Sequence, residues 1–370
     1  MFIYYIILGL LLLVGIQFFG VHGWNEEYLS NENGKGIKGF FALVIMLHHL
    51  SQAVEHPGSL KYMLEIGVLC VSIFFFYSGY GLIKSYNTKE NYLKGFLVHR
   101  LSVVLIPFFV INIIYILLGV ELGTKFSGMQ LLKAVSGISQ INGNAWYVVA
   151  ITIFYLVFYV LFRFIKNKKI AFTGMFLFLC VYITGCLLKK HGYEWFQGEW
   201  WYNTAMIFFV GMLYANFEEK CLAFFKKTYW IALPVSIILF GLLFYRTHYM
   251  LNTYSYWAQY INPGTTGYKE SWMCLSWQLP AEIVFVIMCI LILMKVKFSN
   301  KALKFIGTIS FELYLVHDVF IQFLHSDDVM VKNDVVYVAF VFLCSIVLAL
   351  GVWWTIAACK RSVNKLFAKN

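Results

Sequence analysis

Eleven stretches of this 370-residue chain are apolar over lengths close to a bilayer's thickness: 2–20, 37–53, 62–84, 101–121, 144–164, 169–188, 201–217, 229–246, 276–297, 305–326 and 335–358. About 20 apolar residues at a rise of about 1.5 Å each cross a hydrocarbon core of about 30 Å. Inside lipid an open backbone cannot satisfy its polar groups, so such runs must be helical. The fold class is therefore all-α: a polytopic membrane helix bundle with about eleven transmembrane helices. Runs 37–53 and 201–217 are short and carry polar residues, so the count is weakest there. Charged residues make up 13% of the chain, against about 25% in an ordinary soluble domain. The formal charge of +11 comes from Lys and Arg scattered between the apolar runs, not from a basic stripe. That distribution excludes nucleic acid as a partner and fits positive-inside loops.

Loop charge provides an independent check. With the loop after the first run placed in the cytoplasm and the sides alternated from there, the inner segments hold 21 of the 29 Lys and Arg residues and the outer ones 8. After the first, every inner loop carries at least three, and no outer loop carries more than two. This alternation predicts an outside N-terminus and a cytoplasmic C-terminus. It places Thr88 and Lys168 inside, and Asn142 and Tyr256 outside. No Lys or Arg precedes the first run, and Gln17-Phe18-Phe19 is a poor cleavage context, so that run reads as a retained helix. The eight cysteines lie mostly inside apolar runs and form no C-x-x-C pair, so no metal site is expected; Cys186 and Cys274 fall near outer ends, where spacing would allow them to pair.

Ionisable groups inside lipid are costly, so each is a functional hypothesis. Lys38 and His49 lie eleven residues apart on the second run. Eleven helical steps return to nearly the same face after a rise of about 16 Å. That face carries a cation near the cytoplasm and an imidazole beyond mid-membrane, while His48 leaves the helix in another direction. Lys38 could equally be a snorkelling anchor, and the histidines could simply bind neighbouring helices. On the tenth run Ser310, Tyr314 and His317 share one face by their spacing, with Glu312 pointing elsewhere. His49 and His317 are each twelve residues from the inner start of their run, so they should lie at similar depth. A cationic inner mouth with imidazoles deeper in suits an anionic cytoplasmic donor and a proton transfer farther out.

These residues sit in stretches that resemble acyltransferase family 3, membrane proteins that transfer acyl groups to cell-surface glycans. Lys38 to His49 in IKGFFALVIMLHHL resembles the family's basic-residue-to-His hallmark, although Arg is usual at the first position. An ammonium binds phosphate as a point charge, where a guanidinium makes a fork. The resemblance continues in order through Phe76, Ser78 and Gly79; Arg100 and Pro107; Trp146; Gly211; and Ser310, Tyr314 and His317. In the second of these, His99 or Ser102 stands near where the family commonly has another Arg. The resemblance divides the chain into an additional N-terminal helix and loop (1–34), a ten-helix membrane acyltransferase domain (35–358) and a basic cytoplasmic tail (359–370). It implies acetyl-CoA or another acyl-CoA as co-substrate, with no metal, and a glycan or lipid-linked saccharide as acceptor. Membrane lipids surround such a protein, and a separate extracytoplasmic transferase is a partner it could feed. The setting it implies is the bacterial inner membrane. Residue by residue, it implies His49, His317 and Tyr314 as catalytic, and Lys38 and Arg100 as donor-binding. His48, Ser78, Trp146, Ser310 and Glu312 are expected to support them. Whether His49 would form an acyl-imidazole or act as a base stays open.

Two rivals come from other classes. A transporter or flippase for a glycan precursor shares the helix count and buried polar residues, but favours broken helices in two related halves, which are not visible. A glycan polymerase would need larger and more basic outer loops. The aromatic segments Trp195 to Tyr202 and Tyr249 to Trp272 fit an interfacial belt, and also fit sugar stacking.

Overall fold

The computed structural model describes residues 1–189, 195–254, 268–326 and 329–367. Its α-helices are α1 (Phe2–Leu13), α2 (Asn31–Ala53), α3 (Gly67–Thr88), α4 (Phe96–Glu121), α5 (Gly128–Val135), α6 (Trp146–Phe164), α7 (Lys168–Leu188), α8 (Ala205–Asn216), α9 (Glu218–Thr253), α10 (Tyr268–Lys295), α11 (Lys301–Thr308), α12 (Ser310–Phe323) and α13 (Asp334–Phe367). Two three-residue strands, β1 (Ile16–Phe18) and β2 (Val296–Phe298), pair antiparallel with Ile16 opposite Phe298. The all-α bundle expected from the apolar runs is present. Among the described residues, seven helices are long and apolar enough to cross a membrane: α3, α4, α6, α7, α9, α10 and α13. They fit an integral membrane protein.

The remaining apolar runs differ from the spans expected, each for a local reason. Run 2–20 is not one helix. Its helical part stops after 12 residues, about 18 Å, because Gly15 takes a left-handed φ of 78° and turns the chain into β1. Run 201–217 becomes the 12-residue α8, which begins only after the turn around Glu199 to Asn203. Run 305–326 breaks at Ile309, whose φ of −105° and ψ of 12° end α11 one residue before α12 starts. Run 37–53 is longer than expected. The Ser30 side chain accepts from the Asn33 backbone N–H and starts α2 at Asn31, giving 23 residues.

Small residues set the helix crossings. A Cβ at Gly79 would run into the Phe208 carbonyl, and one at Gly211 into the Phe76 carbonyl, so α3 and α8 touch backbone to backbone. Gly39 and Gly307 do the same for α2 and α11, against the carbonyls of Leu303 and Lys35. In lipid no hydrophobic drive pushes helices together, so close van der Waals approach must supply the affinity. The periphery behaves differently. On α9, which packs along α10, Trp230, Ile231, Ile238 and Leu242 are all more than half exposed, as on a lipid-facing wall.

The basic loops gather at one end of the bundle. Lys168 Nζ donates to Asn87 Oδ1 at 2.9 Å, so the loops expected to carry Thr88 and Lys168 on one side do meet. Lys84 pairs with Glu218 at 2.6 Å, and Lys226 with Glu26 at 2.8 Å. Burial beside Glu218 and Tyr214 raises the pKa of the Tyr28 phenol, whose oxygen lies 3.0 Å from Glu218 Oε1. At the same end the buried Lys295 donates to the carbonyls of Gly20, Val21 and Gly23 at 3.0, 2.7 and 2.7 Å, with its Nζ 3.7 Å from the centre of the Trp24 ring. Tyr256 lies outside the described residues. Cys186 and Cys274 are both free thiols, and Cys274 Sγ points at the Met250 carbonyl.

Candidate active site

Three helices organise the interior. Along α2 the residues Lys38, Ala42 and Ile45 face a cavity of about 520 Å³, and Ile45, His48, His49 and Gln52 face a second of about 760 Å³. On α3, Val71, Phe74 and Ser78 line the first, and Gly67, Val68 and Val71 the second. On α12, Ser310, Glu312 and Tyr314 line the first, and Tyr314 also lines the second. Ile45, Val71 and Tyr314 are common to both, so the cavities abut at a neck made of one residue from each helix. Both volumes suit a small-molecule site.

The first cavity holds the two expected cations. Lys38 is half-buried, with its Nζ 5.4 Å from the centre of the Tyr77 ring and no carboxylate partner among the described residues. Arg100 donates through Nε and Nη2 to the Tyr92 hydroxyl, at 3.1 and 2.8 Å. Both cations rest against neutral aromatic partners, and the carboxylate of Glu312 lines the same cavity. Ser78 is here too, its Oγ 3.4 Å from the Tyr147 hydroxyl, and Ser310 Oγ donates back to the Gly307 carbonyl. Glu312 corrects the helical-face reading. It lines this cavity alongside Ser310 and Tyr314, since the cavity reaches around the opening turn of α12, where Phe311 and Glu312 also border it.

The second cavity holds the histidines. The His49 ring is partly open to it and makes no hydrogen bond among the described residues. The His317 ring centre lies 4.9 Å from it, so α2 and α12 do bring the two imidazoles to one depth. His317, however, is fully buried and lines neither cavity, which corrects the expectation of a shared lining. It stands behind His49. Its Nδ1–H donates to the Leu313 carbonyl at 3.3 Å, since a carbonyl can only accept. That leaves Nε2 buried without a partner. His48 also borders the second cavity, against the expectation that it leaves in another direction, but it is tied down. Its Nδ1–H donates to the Met63 carbonyl at 2.9 Å, and its Nε2 accepts from Gln52 at 3.3 Å. Trp146 borders the same cavity and is buried, with its ring 6.2 Å from Trp201. Tyr314 sits between, 6.1 Å from His317 and 5.9 Å from Tyr147, centre to centre.

Several lining groups escaped the sequence reading. Asn144, Asn203, Thr204 and Gln278 add amides and a hydroxyl to the imidazole-side cavity. Beside it lies a chamber of about 10 Å³ bordered by Gln278, Thr247 and Glu282. Glu282 is fully buried, its Oε2 lies 3.1 Å from Ser72 Oγ, and its Oε1 has no partner. A lone Glu in the run LPAEIVFV was the signal that could have found it. Among the described residues, no group of three or more His, Cys, Asp or Glu is placed to hold a metal ion.

The arrangement can hold an anion at one end and move a proton at the other, with three shared side chains between. A sequence profile described as an acyltransferase domain, that of acyltransferase family 3, matches residues 35–357. No curated protein and no solved structure gives a significant match.

Proposed function

The chain belongs to acyltransferase family 3, and from that premise we propose that it transfers an acyl group, in the simplest case acetyl, from cytoplasmic acyl-CoA to a hydroxyl of a cell-envelope or exported glycan. The observation that carries this reading is the pair of abutting cavities, two cations in one and imidazoles in the other. Lys38 and Arg100 would meet the phosphates of CoA, where charge-assisted hydrogen bonds are strongest. The thioester would extend toward the neck. The acceptor would enter from the other side, among the amides of Asn144, Asn203 and Gln278 and the rings of Trp146 and Trp200.

His49 acts as general base. It takes the proton of the acceptor hydroxyl as the oxygen attacks the thioester carbon. The C–S bond then breaks, the C–O bond stays, and the proton ends on the sulfur of CoA. His317, with Nδ1–H engaged by Leu313, packs its ring behind that of His49 and would steady it by contact. Tyr314 screens the reacting atoms at the neck. The clustering of loop cations at the Lys38 end supports placing that end in the cytoplasm of a bacterial inner membrane.

The test is transfer from radiolabelled acetyl-CoA to glycan in native membranes. Label should enter the glycan with the wild-type protein and fall to background with His49→Ala at matched expression. Glycan crossing the membrane without label would put the transporter reading ahead.

A further inference from the structure

We infer that the neck formed by Ile45, Val71 and Tyr314 gauges the acyl chain, so that these side chains set which thioesters are used. The inference rests on the acyl-transfer reading above and adds to it a determinant of donor choice.

The argument starts from reach. His49 follows Ile45 by four residues on α2, one turn, or about 6 Å along the axis. A base works at about 2.6–3.2 Å from the oxygen it deprotonates. That oxygen must come within about 3–3.5 Å of the carbonyl carbon it attacks. Laid along the helix axis, these contacts bring the reacting carbon within reach of the level of Ile45. The cations that hold the phosphates lie in the other cavity, so sulfur approaches from that side. The first carbon of the acyl tail is bonded to the reacting carbon and must occupy the same level. There the boundary shared by the two cavities is made of an isoleucine from α2, a valine from α3 and a tyrosine from α12.

The three walls are not equally adjustable. Tyr314 is buttressed: its ring lies 5.9 Å from Tyr147, whose hydroxyl lies 3.4 Å from Ser78 Oγ. Ile45 and Val71 are aliphatic, and trimming either widens the neck without removing a polar partner. Each additional methylene of the tail must find room beside them. A tightly bounded apolar site separates substrates differing by one methylene by about 10- to 200-fold. The reaction adds no other discrimination at this point. The thioester C–S bond breaks, the ester C–O bond forms and the hydroxyl proton passes to sulfur, whatever the tail.

The experiment compares acetyl-, propionyl- and butyryl-CoA, each radiolabelled in the acyl group. Membranes carry wild type, Ile45→Ala, Val71→Ala or Val71→Phe, and CoA retention by each purified protein reports that it is folded. Wild type should prefer the shortest chain. Each alanine variant should raise the butyryl-to-acetyl ratio by about tenfold or more. Val71→Phe should lose acetyl transfer while still retaining CoA. Equal use of the three thioesters by wild type, or one unchanged ratio in the folded alanine variants, overturns the gauge while leaving acyl transfer standing. Absence of transfer by wild type from every thioester overturns the acyl-transfer reading itself.

Discussion

On the Lys38 side of the neck the two cations rest on aromatic rings and a phenol hydroxyl, with one carboxylate, Glu312, in the lining. On the His49 side the polar groups are neutral amides, hydroxyls and imidazoles, with His48 tied to Met63 and Gln52 and only Glu65 bringing a carboxylate to the lining. The same three helices wall both spaces. The difference teaches how one scaffold separates holding from reacting. An anion is best held where cations outnumber carboxylates, two to one in this lining. A proton is best moved by a group, like His49, that no hydrogen bond has already fixed.

If that division is right, substitutions on the two sides should fail in different measurements. The largest effect is expected for His49→Ala: transfer falls by about 10²- to 10⁴-fold, as for loss of a positioned base, while CoA affinity holds. His48→Ala should cost far less, because that ring is engaged in structure, and His317→Ala and Tyr314→Phe should fall between. Inactive His48→Ala beside active His49→Ala would reverse the roles assigned to the pair. Next come Arg100→Ala and Lys38→Ala, each expected to weaken CoA binding by about 10- to 100-fold, the range of a lost charge-assisted contact. Lys38→Arg should retain binding or improve it. Calorimetry on purified protein decides this, and unchanged affinity in Arg100→Ala would remove that residue from the donor side.

A third comparison acts on both cavities together through their common wall. Gly211→Val drives a side chain into the Phe76 carbonyl and should cost about 1–3 kcal/mol of stability, read as a lower thermal midpoint. Gly241→Ala meets open space on α9 and should leave the midpoint unchanged or slightly higher. Equal midpoints for the two variants would contradict the backbone contact of α3 with α8. The smallest effect is expected for Glu282→Gln. Its amide can still meet Ser72, whereas Glu282→Ala leaves Ser72 with the Val68 carbonyl alone and opens a buried void, and should slow transfer without touching CoA affinity. Loss of CoA binding in Glu282→Ala would mean that the two sides are less separate than their linings indicate.

The sequence made the bundle legible because apolar run length is a direct physical requirement of lipid. It made Lys38 and His49 legible because their spacing is a property of one helix. It could not place Glu312, since helical spacing gives a face but not how wide a cavity reaches around it, and it could not place the helix end at Ile309, which no Pro or Gly at that position announces. The short α1 was hidden for a related reason: residues 16–18 are apolar enough to continue a helix, and their β partner at 296–298 is far away in the chain. The neck was invisible as well. Ile45 and Val71 are ordinary apolar residues of apolar helices, and only packing distinguishes them. Phe76, Gly79 and Gly211 were singled out by resemblance as motif residues, and the structure gives them a mechanical task, the crossing of α3 and α8.

The Lys295 clasp bears on how the chain is assembled in time. Its ammonium closes on carbonyls 272 to 275 residues earlier in the chain. At about 5–20 residues per second, synthesis separates the two halves of that contact by tens of seconds. For that interval the loop at Gly20 to Trp24 must wait beside the membrane without its anchor. The β1–β2 ribbon waits equally long. Early helices can therefore enter and sort themselves before the N-terminal segment is fastened across them, and fastening is reserved for a chain that has already completed α10.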